Sequence, residues 1–80
     1  MHWVYIIENL TGKHYVGRST DVDMRLRKHN SGGSVWTRNY RPWHLVYKEK
    51  FRTVHEALVR ENEIKSYKGG NKLKELLKNC

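Results

Sequence analysis

Three stretches of the 80-residue chain have the composition of β-strands. Residues 3–9 (WVYIIEN) and 43–51 (WHLVYKEKF) are rich in β-branched and aromatic side chains, and the second of them also alternates apolar with polar positions. Residues 14–17 (HYVG) follow the first stretch after LTGK at 10–13, whose glycine can take a positive φ in a tight turn. We therefore predict a hairpin over 3–17 and a further strand at 43–51.

A first helix is predicted over about 21–30 (DVDMRLRKHN). Three residues able to cap its N-terminus precede the first apolar positions: Ser19, Thr20 and Asp21. The next stretch, residues 31–42 (SGGSVWTRNYRP), opens with a glycine pair and closes with a proline. Because these residues interrupt regular structure, we predict a loop there.

Two more helices are predicted in the last third of the chain. Residues 53–56 (TVHE) fit a capping box, in which threonine and glutamate side chains satisfy free N–H groups at a helix start. This helix should run to about Tyr67, before the break at Gly69-Gly70. Residues 71–79 (NKLKELLKN) form an amphipathic pattern with three leucines on the inward side: Leu73, Leu76 and Leu77.

The predicted order of elements is ββαβαα. Short connections favour neighbouring strands that run antiparallel, so we expect an α+β fold in which helices flank a three-stranded antiparallel sheet. We expect the strands to form a meander, with each strand beside the next one in sequence. A chain of this length forms one domain, residues 1–80.

The long second helix carries a carboxylate where its pattern calls for an apolar side chain. At 100° per residue, its apolar stripe consists of Val54, Ala57, Leu58 and Ile64. Glu61 falls in the middle of that stripe. A buried carboxylate must be paired, protonated or bound to a cation, because an unpaired buried charge is very costly. Helix geometry leaves open an ion pair with an arginine, a metal ligand or general base, and partial exposure.

The charge balance favours a polyanionic partner. Sixteen Lys and Arg residues against eight acids give a net charge of +8, and residues 18–41 contain six basic residues against two acids. Nucleic acid is the commonest polyanion, although a high charge can also serve solubility alone. We take four of these basic residues as candidate substrate contacts: Arg18, Arg27, Lys28 and Arg38. Three aromatic residues in the same region can stack on bases or belong to the core: Trp36, Tyr40 and Trp43.

Several other classes of protein are disfavoured. The longest apolar run, residues 3–7, is too short to span a bilayer, and the N-terminus has neither a basic leader nor a small-residue cleavage site. Cys80 is the only cysteine, so no internal disulfide or cysteine zinc site can form. We expect a cytoplasmic protein that binds no membrane and no small-molecule cofactor, as a monomer or a weak dimer.

The first helix combines an acid, an arginine and a histidine on one face, because Asp21, Arg25 and His29 are spaced four residues apart. Arg25 lies next to the inward positions 22 and 26, so its guanidinium can be held in place, and a held arginine grips a phosphate bidentately. His29 can shuttle protons near neutral pH. The alternatives are a surface Asp21–Arg25 pair and a histidine without a catalytic role.

With these residues the chain resembles a GIY-YIG nuclease domain, especially the small stand-alone bacterial type and the domain of the excision-repair nuclease subunit. The family's first motif ends in a tyrosine on the first strand, matched by residues 3–5 (WVY), and its second motif is matched by 15–17 (YVG). Arg25 stands ten residues after the second tyrosine, as the family's arginine does, and His29 follows four positions later, as in several members. Glu61 follows an Ala-Leu pair, as the family's metal-binding glutamate does.

The resemblance implies a metal-dependent endonuclease that hydrolyses phosphodiester bonds in nucleic acid, more in DNA than in RNA, with a function such as DNA repair. Glu61 would hold one Mg²⁺ or Mn²⁺, and Arg25 would neutralise the phosphate. Tyr15 is the expected general base, Tyr5 would hydrogen-bond beside it, and His29 would accept or relay the proton.

Two questions stay open after the resemblance. Many catalytic members of the family have a late asparagine, for which Asn71 is the nearest candidate. The alternative function is a basic module on the same fold that binds nucleic acid without cutting it.

Overall fold

A three-stranded antiparallel sheet with helices packed on it forms the fold of residues 1–78, the part of the chain that the computed structural model describes. The strands are β1 (His2–Asn9), β2 (His14–Ser19) and β3 (Trp43–Phe51). The helices are α1 (Val22–Asn30), α2 (Val54–Ser66) and α3 (Asn71–Lys78), with a 3₁₀ turn at Thr37–Tyr40. The predicted α+β class and the order ββαβαα are confirmed. The predicted end of the last helix, residue 79, lies outside the described residues.

The order of strands across the sheet is β2-β1-β3, so the expected meander is wrong. β1 pairs with both neighbours, and β3 lies beside β1 instead of β2. The physical reason lies in four consecutive residues of β1 that are fully buried: Val4, Tyr5, Ile6 and Ile7. A strand that is apolar on both faces requires cover on both sides, which the central position provides.

Alternate residues of β1 supply two separate cores. On one face, Val4 and Ile6 pack with Ala57, Ile64 and Leu73 from α2 and α3. On the other face, the core is formed by Tyr5, Ile7, Val22 and Trp43, beneath α1. Since successive side chains of a strand point to opposite faces, one short apolar run binds both helical layers to the sheet. Within residues 1–78 no helix is long and apolar enough to cross a membrane.

The stretch 31–42, which we predicted as a loop, contains the 3₁₀ turn and is fixed to the sheet by polar contacts. The Asn30 side chain accepts a hydrogen bond from the Trp43 backbone N–H at 2.6 Å and donates one to its carbonyl at 2.9 Å. The Trp43 indole N–H donates to the Thr37 carbonyl at 2.8 Å. Thr37 is fully buried. These partners are distant in sequence, so turn signals alone did not show them.

The apolar stripe of α2 is narrower than its sequence pattern predicted. Ala57, Glu61 and Ile64 are buried, whereas Val54 and Leu58 are 48% and 39% exposed. The helix contacts the sheet along the i, i+4, i+7 line, and its outer apolar positions stay in solvent. The inward leucines of α3 are confirmed, because all three pack on the same core: Leu73, Leu76 and Leu77.

Candidate active site

Tyr5 lies in the central strand and is fully buried. Its cross-strand partner in β2 is Gly17. A Cβ atom at Gly17 would come within 2.5 Å of the Tyr5 hydroxyl oxygen and 2.6 Å of its Cζ atom, closer than heavy atoms can approach. The glycine of the YVG motif therefore provides the space over which the Tyr5 ring extends. This role is steric, and only the pairing of β1 with β2 reveals it.

His29 joins Tyr5 to the 3₁₀ turn. It lies in the last turn of α1, 1% exposed, with Nε2 2.9 Å from the Tyr5 hydroxyl and Nδ1 2.7 Å from Thr37 Oγ1. Each ring nitrogen of His29 therefore hydrogen-bonds one hydroxyl, and the imidazole bridges Tyr5 to Thr37.

Burial keeps this pair neutral. Burial raises the pKa of Tyr5 above its ordinary value, while the positive charge of nearby Arg25 acts in the opposite direction. Burial also lowers the pKa of His29, and the positive charges of Arg25 and Lys28 lower it further. At neutral pH Tyr5 therefore keeps its hydroxyl proton, and His29 is an uncharged imidazole.

Arg25 carries a positive charge that no carboxylate in residues 1–78 neutralises. It is half-buried in α1, and its Nε atom is buried without a hydrogen-bond partner among the described residues. The Asp21 carboxylate instead caps α1 by accepting from the Met24 backbone N–H at 3.0 Å. The surface Asp21–Arg25 pair is therefore not formed. An uncompensated guanidinium held by packing is suited to bind an anion.

Glu61 is paired with cations on both of its oxygens. Arg18 Nε lies 3.0 Å from Oε1, and Lys65 Nζ lies 2.9 Å from Oε2. The Glu61 side chain is 10% exposed, against 36% for Arg18 and 52% for Lys65. Of the alternatives that the helix pattern left open, the ion pair with an arginine is the one formed. Arg18, expected as a substrate contact, is thus also the partner of this carboxylate.

The predicted catalytic residues fall into two clusters on opposite faces of the sheet. Tyr5 and Tyr15 are on the α1 face with His29, where the Tyr15 and His29 ring centroids are 4.9 Å apart. Arg18 and Glu61 are on the α2 face, because Arg18 alternates with Gly17 along β2. The negative charge of Glu61 still raises the pKa of Tyr5, so it acts across the sheet. The two clusters meet at β2, which is an edge strand.

The remaining predicted residues lie on the surface of the fold. Arg27, Lys28 and Arg38 are exposed, the first two on α1 and the third in the 3₁₀ turn. Asn71 is exposed at the first residue of α3. The three basic residues add exposed positive charge to α1 and the 3₁₀ turn, which favours a polyanionic partner.

A metal at this edge would have few protein ligands. The described residues contain no group of three or more His, Cys, Asp or Glu side chains able to hold a metal ion. Glu61 by itself fits a hard cation such as Mg²⁺, which accepts one carboxylate and completes its coordination with water and phosphate oxygens. The positive charges of Arg18 and Lys65, one beside each oxygen of Glu61, oppose the binding of a metal there.

Three residues of the site were missed by sequence reasoning. Lys65 had a signal, because it stands four residues after Glu61 and such pairs meet on a helix. Gly17 stood inside the second motif but without an assigned role. Thr37 had no signal, because its contact with His29 depends on the path of the chain between α1 and β3.

Comparison with known proteins gives consistent results. The model of the GIY-YIG catalytic domain matches residues 1–74. A UPF0213 protein of Staphylococcus aureus strain Mu3 is 47% identical over 74 residues, which span 91% of this chain and 90% of that protein, and one from strain Mu50 has the same values. The solution NMR structure of the UPF0213 protein BH0048 from Bacillus halodurans is 40% identical with a TM-score of 0.58. That match covers 98% of this chain and 82% of the other.

The packing of Gly17 under Tyr5 predicts that Gly17→Ala is strongly destabilising. The added methyl group has to displace the Tyr5 ring, and overpacking of this kind costs about 1–3 kcal/mol. In a small domain that corresponds to a fall of about 5–20 °C in melting temperature, measurable by circular dichroism. Gly70→Ala is the matched control, since its Cβ would meet only the Tyr67 carbonyl, at 3.6 Å. A Gly17→Ala protein that melts within about two degrees of wild type would contradict the steric role.

Burial of neutral His29 predicts a loss of stability at acid pH. The pKa of His29 is lowered in the folded chain. In the unfolded chain this histidine takes up a proton below its ordinary pKa of about 6.5, whereas in the folded chain it takes one up only at lower pH. The stabilisation is complete above about pH 7 and falls as the pH drops below about 6.5, by up to about 1.4 kcal/mol per pH unit. Urea denaturation at several pH values measures this slope. His29→Gln should flatten it, whereas His55→Gln, at an exposed position of α2, should not.

Proposed function

Since the chain belongs to the GIY-YIG catalytic-domain family, as its motifs predicted, we propose that it is an endonuclease that hydrolyses phosphodiester bonds of DNA in the cytoplasm with Mg²⁺ or Mn²⁺. The observation that carries this proposal is the uncompensated guanidinium of Arg25 beside the buried Tyr5–His29 pair. An anion site next to fixed proton donors and acceptors is what hydrolysis of a phosphodiester needs.

Tyr15 is the better candidate for the group that activates water. Its ring is half-buried and borders an open groove, whereas Tyr5 is fully buried and its hydroxyl is committed to His29. Tyr15 would orient the attacking water and take up its proton, after releasing its own proton to solvent. The water oxygen then bonds to phosphorus as the bond to the leaving oxygen breaks. Tyr5 and His29 would position the Tyr15 ring. The centroids of their rings lie 6.4 Å and 4.9 Å from the centroid of Tyr15.

Arg25 would neutralise the phosphate as negative charge builds on its non-bridging oxygens. The planar guanidinium can present two N–H groups to one phosphate, a geometry that the ammonium of lysine does not offer. Its position is restricted by partial burial in α1, where its Nε atom is fully covered. Little reorganisation is therefore required when the substrate arrives, which is the condition for effective electrostatic stabilisation.

Glu61 would hold the metal, which supplies Lewis-acid charge at the phosphate when bound. Arg18 and Lys65 neutralise Glu61 in the free protein, and each becomes available for a phosphate when the carboxylate exchanges partners. With two cations beside a single carboxylate, the free protein should bind divalent ions weakly. A bound phosphate backbone offsets this positive charge, so nucleic acid and metal should bind cooperatively.

A second candidate function is favoured by the same pairing. Because both oxygens of Glu61 are held by cations, the domain is also suited to bind nucleic acid without cutting it. The two functions differ only in whether Glu61 exchanges its partners for a metal. Binding alone would leave Arg18, Arg25 and Lys65 as contacts for the phosphate backbone.

The cleavage test compares Glu61→Gln with Glu63→Gln. Labelled duplex, flap, junction and single-stranded DNA are incubated with Mg²⁺ or Mn²⁺, and products are resolved by electrophoresis. Glu61→Gln should reduce the cleavage rate by about a hundredfold or more, as for loss of an interaction made in the transition state. Glu63 is exposed on the same helix, so its variant should cut like wild type. Binding of DNA by wild type without cleavage under every condition would favour the second function.

A second variant tests Arg25 directly. Arg25→Lys keeps the charge but loses the planar fork, so the single-turnover rate should fall by about tenfold or more while affinity for DNA changes little. Arg52→Lys is the matched control, since Arg52 is exposed between β3 and α2 and has no part in the proposed site. Equal rates for the two variants would remove Arg25 from the proposed site.

A further inference from the structure

A groove of about 450 Å³ opens beside Tyr15 on the edge of the sheet. Tyr15 and Trp36 form its aromatic wall, and Val16, Ile64 and Leu73 supply apolar side chains. It is bordered by the residue that we propose to activate water, yet none of the roles assigned above uses its apolar part. Its volume and composition are those of a pocket for a flat, mainly apolar group.

Trp36 presents an aromatic ring that the fold leaves half uncovered. It is 49% exposed, and its ring centroid lies 5.8 Å from that of Tyr15, with 31° between the planes. Tyr40 and Trp43 fix the ring in place, with centroids at 5.3 Å and 6.1 Å. A rigid tryptophan with an accessible surface is a stacking platform for a nucleobase.

Two lysines at the border of the groove supply positive charge. Lys65 lies beside Glu61, whereas Lys68 forms no ion pair with any carboxylate of the described residues. The Lys68 backbone has φ +52°, a left-handed conformation that favours glycine, and glycines follow at 69 and 70. A glycine would occupy this position with less strain. No residue that lines the groove is acidic.

We propose that this groove is a nucleotide subsite, in which a base stacks on Trp36 and its phosphate contacts Lys68. The aromatic wall can stack on a base, and the two lysines at the border can contact the phosphate that every nucleotide carries. Because Tyr15 and Lys65 belong both to the groove and to the candidate active site, the bound nucleotide would be a neighbour of the scissile phosphate. That last step rests on the proposed endonuclease function, whereas base binding itself does not.

The test compares two ligands of equal charge in metal-free buffer. Fluorescence anisotropy measures the affinity for a labelled oligothymidylate and for an abasic deoxyribose-phosphate chain of the same length. Wild type should bind the first about tenfold more tightly, as expected for one stacked base. Trp36→Leu should remove this difference, and Trp36→Phe should retain most of it. Trp3→Leu, which alters a tryptophan outside the groove, should leave the difference unchanged.

A third variant tests the lysine. Lys68→Gly should weaken binding of both ligands by about the same factor, since it removes one phosphate contact. It should also raise the melting temperature by a few degrees, because the left-handed conformation suits glycine. This combination separates a ligand contact from a structural role, for which loss of binding would accompany loss of stability.

Two results would overturn the subsite. One is equal affinity of wild type for the two chains, and the other is an unchanged preference for bases in a folded Trp36→Leu protein. The proposed function is judged separately, by cleavage in Mg²⁺ or Mn²⁺. A base preference that depends on Trp36, without cleavage, would keep the subsite and reject the endonuclease. Cleavage without a base preference would do the reverse.

Discussion

The hydrogen bond between the Tyr5 hydroxyl and His29 Nε2 joins the central strand to the first helix across a fully buried interface. A buried hydroxyl without a partner costs about 1–3 kcal/mol, so the position of α1 on the sheet is tied to this contact. The hydrogen bond between His29 and the Thr37 side chain extends this connection to the 3₁₀ turn. The indole N–H of Trp43 donates to the backbone carbonyl of the same threonine. One chain of polar contacts therefore sets the α1 face of the molecule, and with it the place of Arg25.

The opposite face is organised by charge. Glu61 is a carboxylate in the buried stripe of α2, and Arg18 and Lys65 allow it to remain there because each neutralises one oxygen. Such an arrangement adds little stability, since the attraction between the charges is offset by the loss of their hydration. Under the proposed function, a metal would take the place of a cation beside Glu61, and a phosphate would take the place of Glu61 beside Arg18 or Lys65.

Both clusters open at β2, and the sheet topology explains why. With β1 in the centre, β2 is left as an edge strand whose residues face α1 and α2 alternately. An edge is the one place where side chains from both faces of a sheet can reach the same ligand. The groove beside Tyr15 lies at this edge, as do the cations around Glu61.

The sequence by itself determined the local features of this protein. Apolar periodicity and capping residues gave the order ββαβαα, the misplaced Glu61 marked α2, and the spacing of Arg25 and His29 placed them on one side of α1. Each of these depends on residues within a few positions of one another, where the period of the helix or strand fixes the direction of a side chain. The motifs were sufficient to indicate the family for the same reason.

Only the tertiary structure decided which elements meet. The central place of β1, the space that Gly17 leaves for Tyr5, and the contact of His29 with Thr37 all join residues that no local period relates. The arginine partner of Glu61 required the pairing of β2 with β1 and the docking of α2, because Arg18 stands 43 positions away in the chain. Periodicity states which side of an element faces inward. Which residue it faces there is decided by long-range packing of the whole chain.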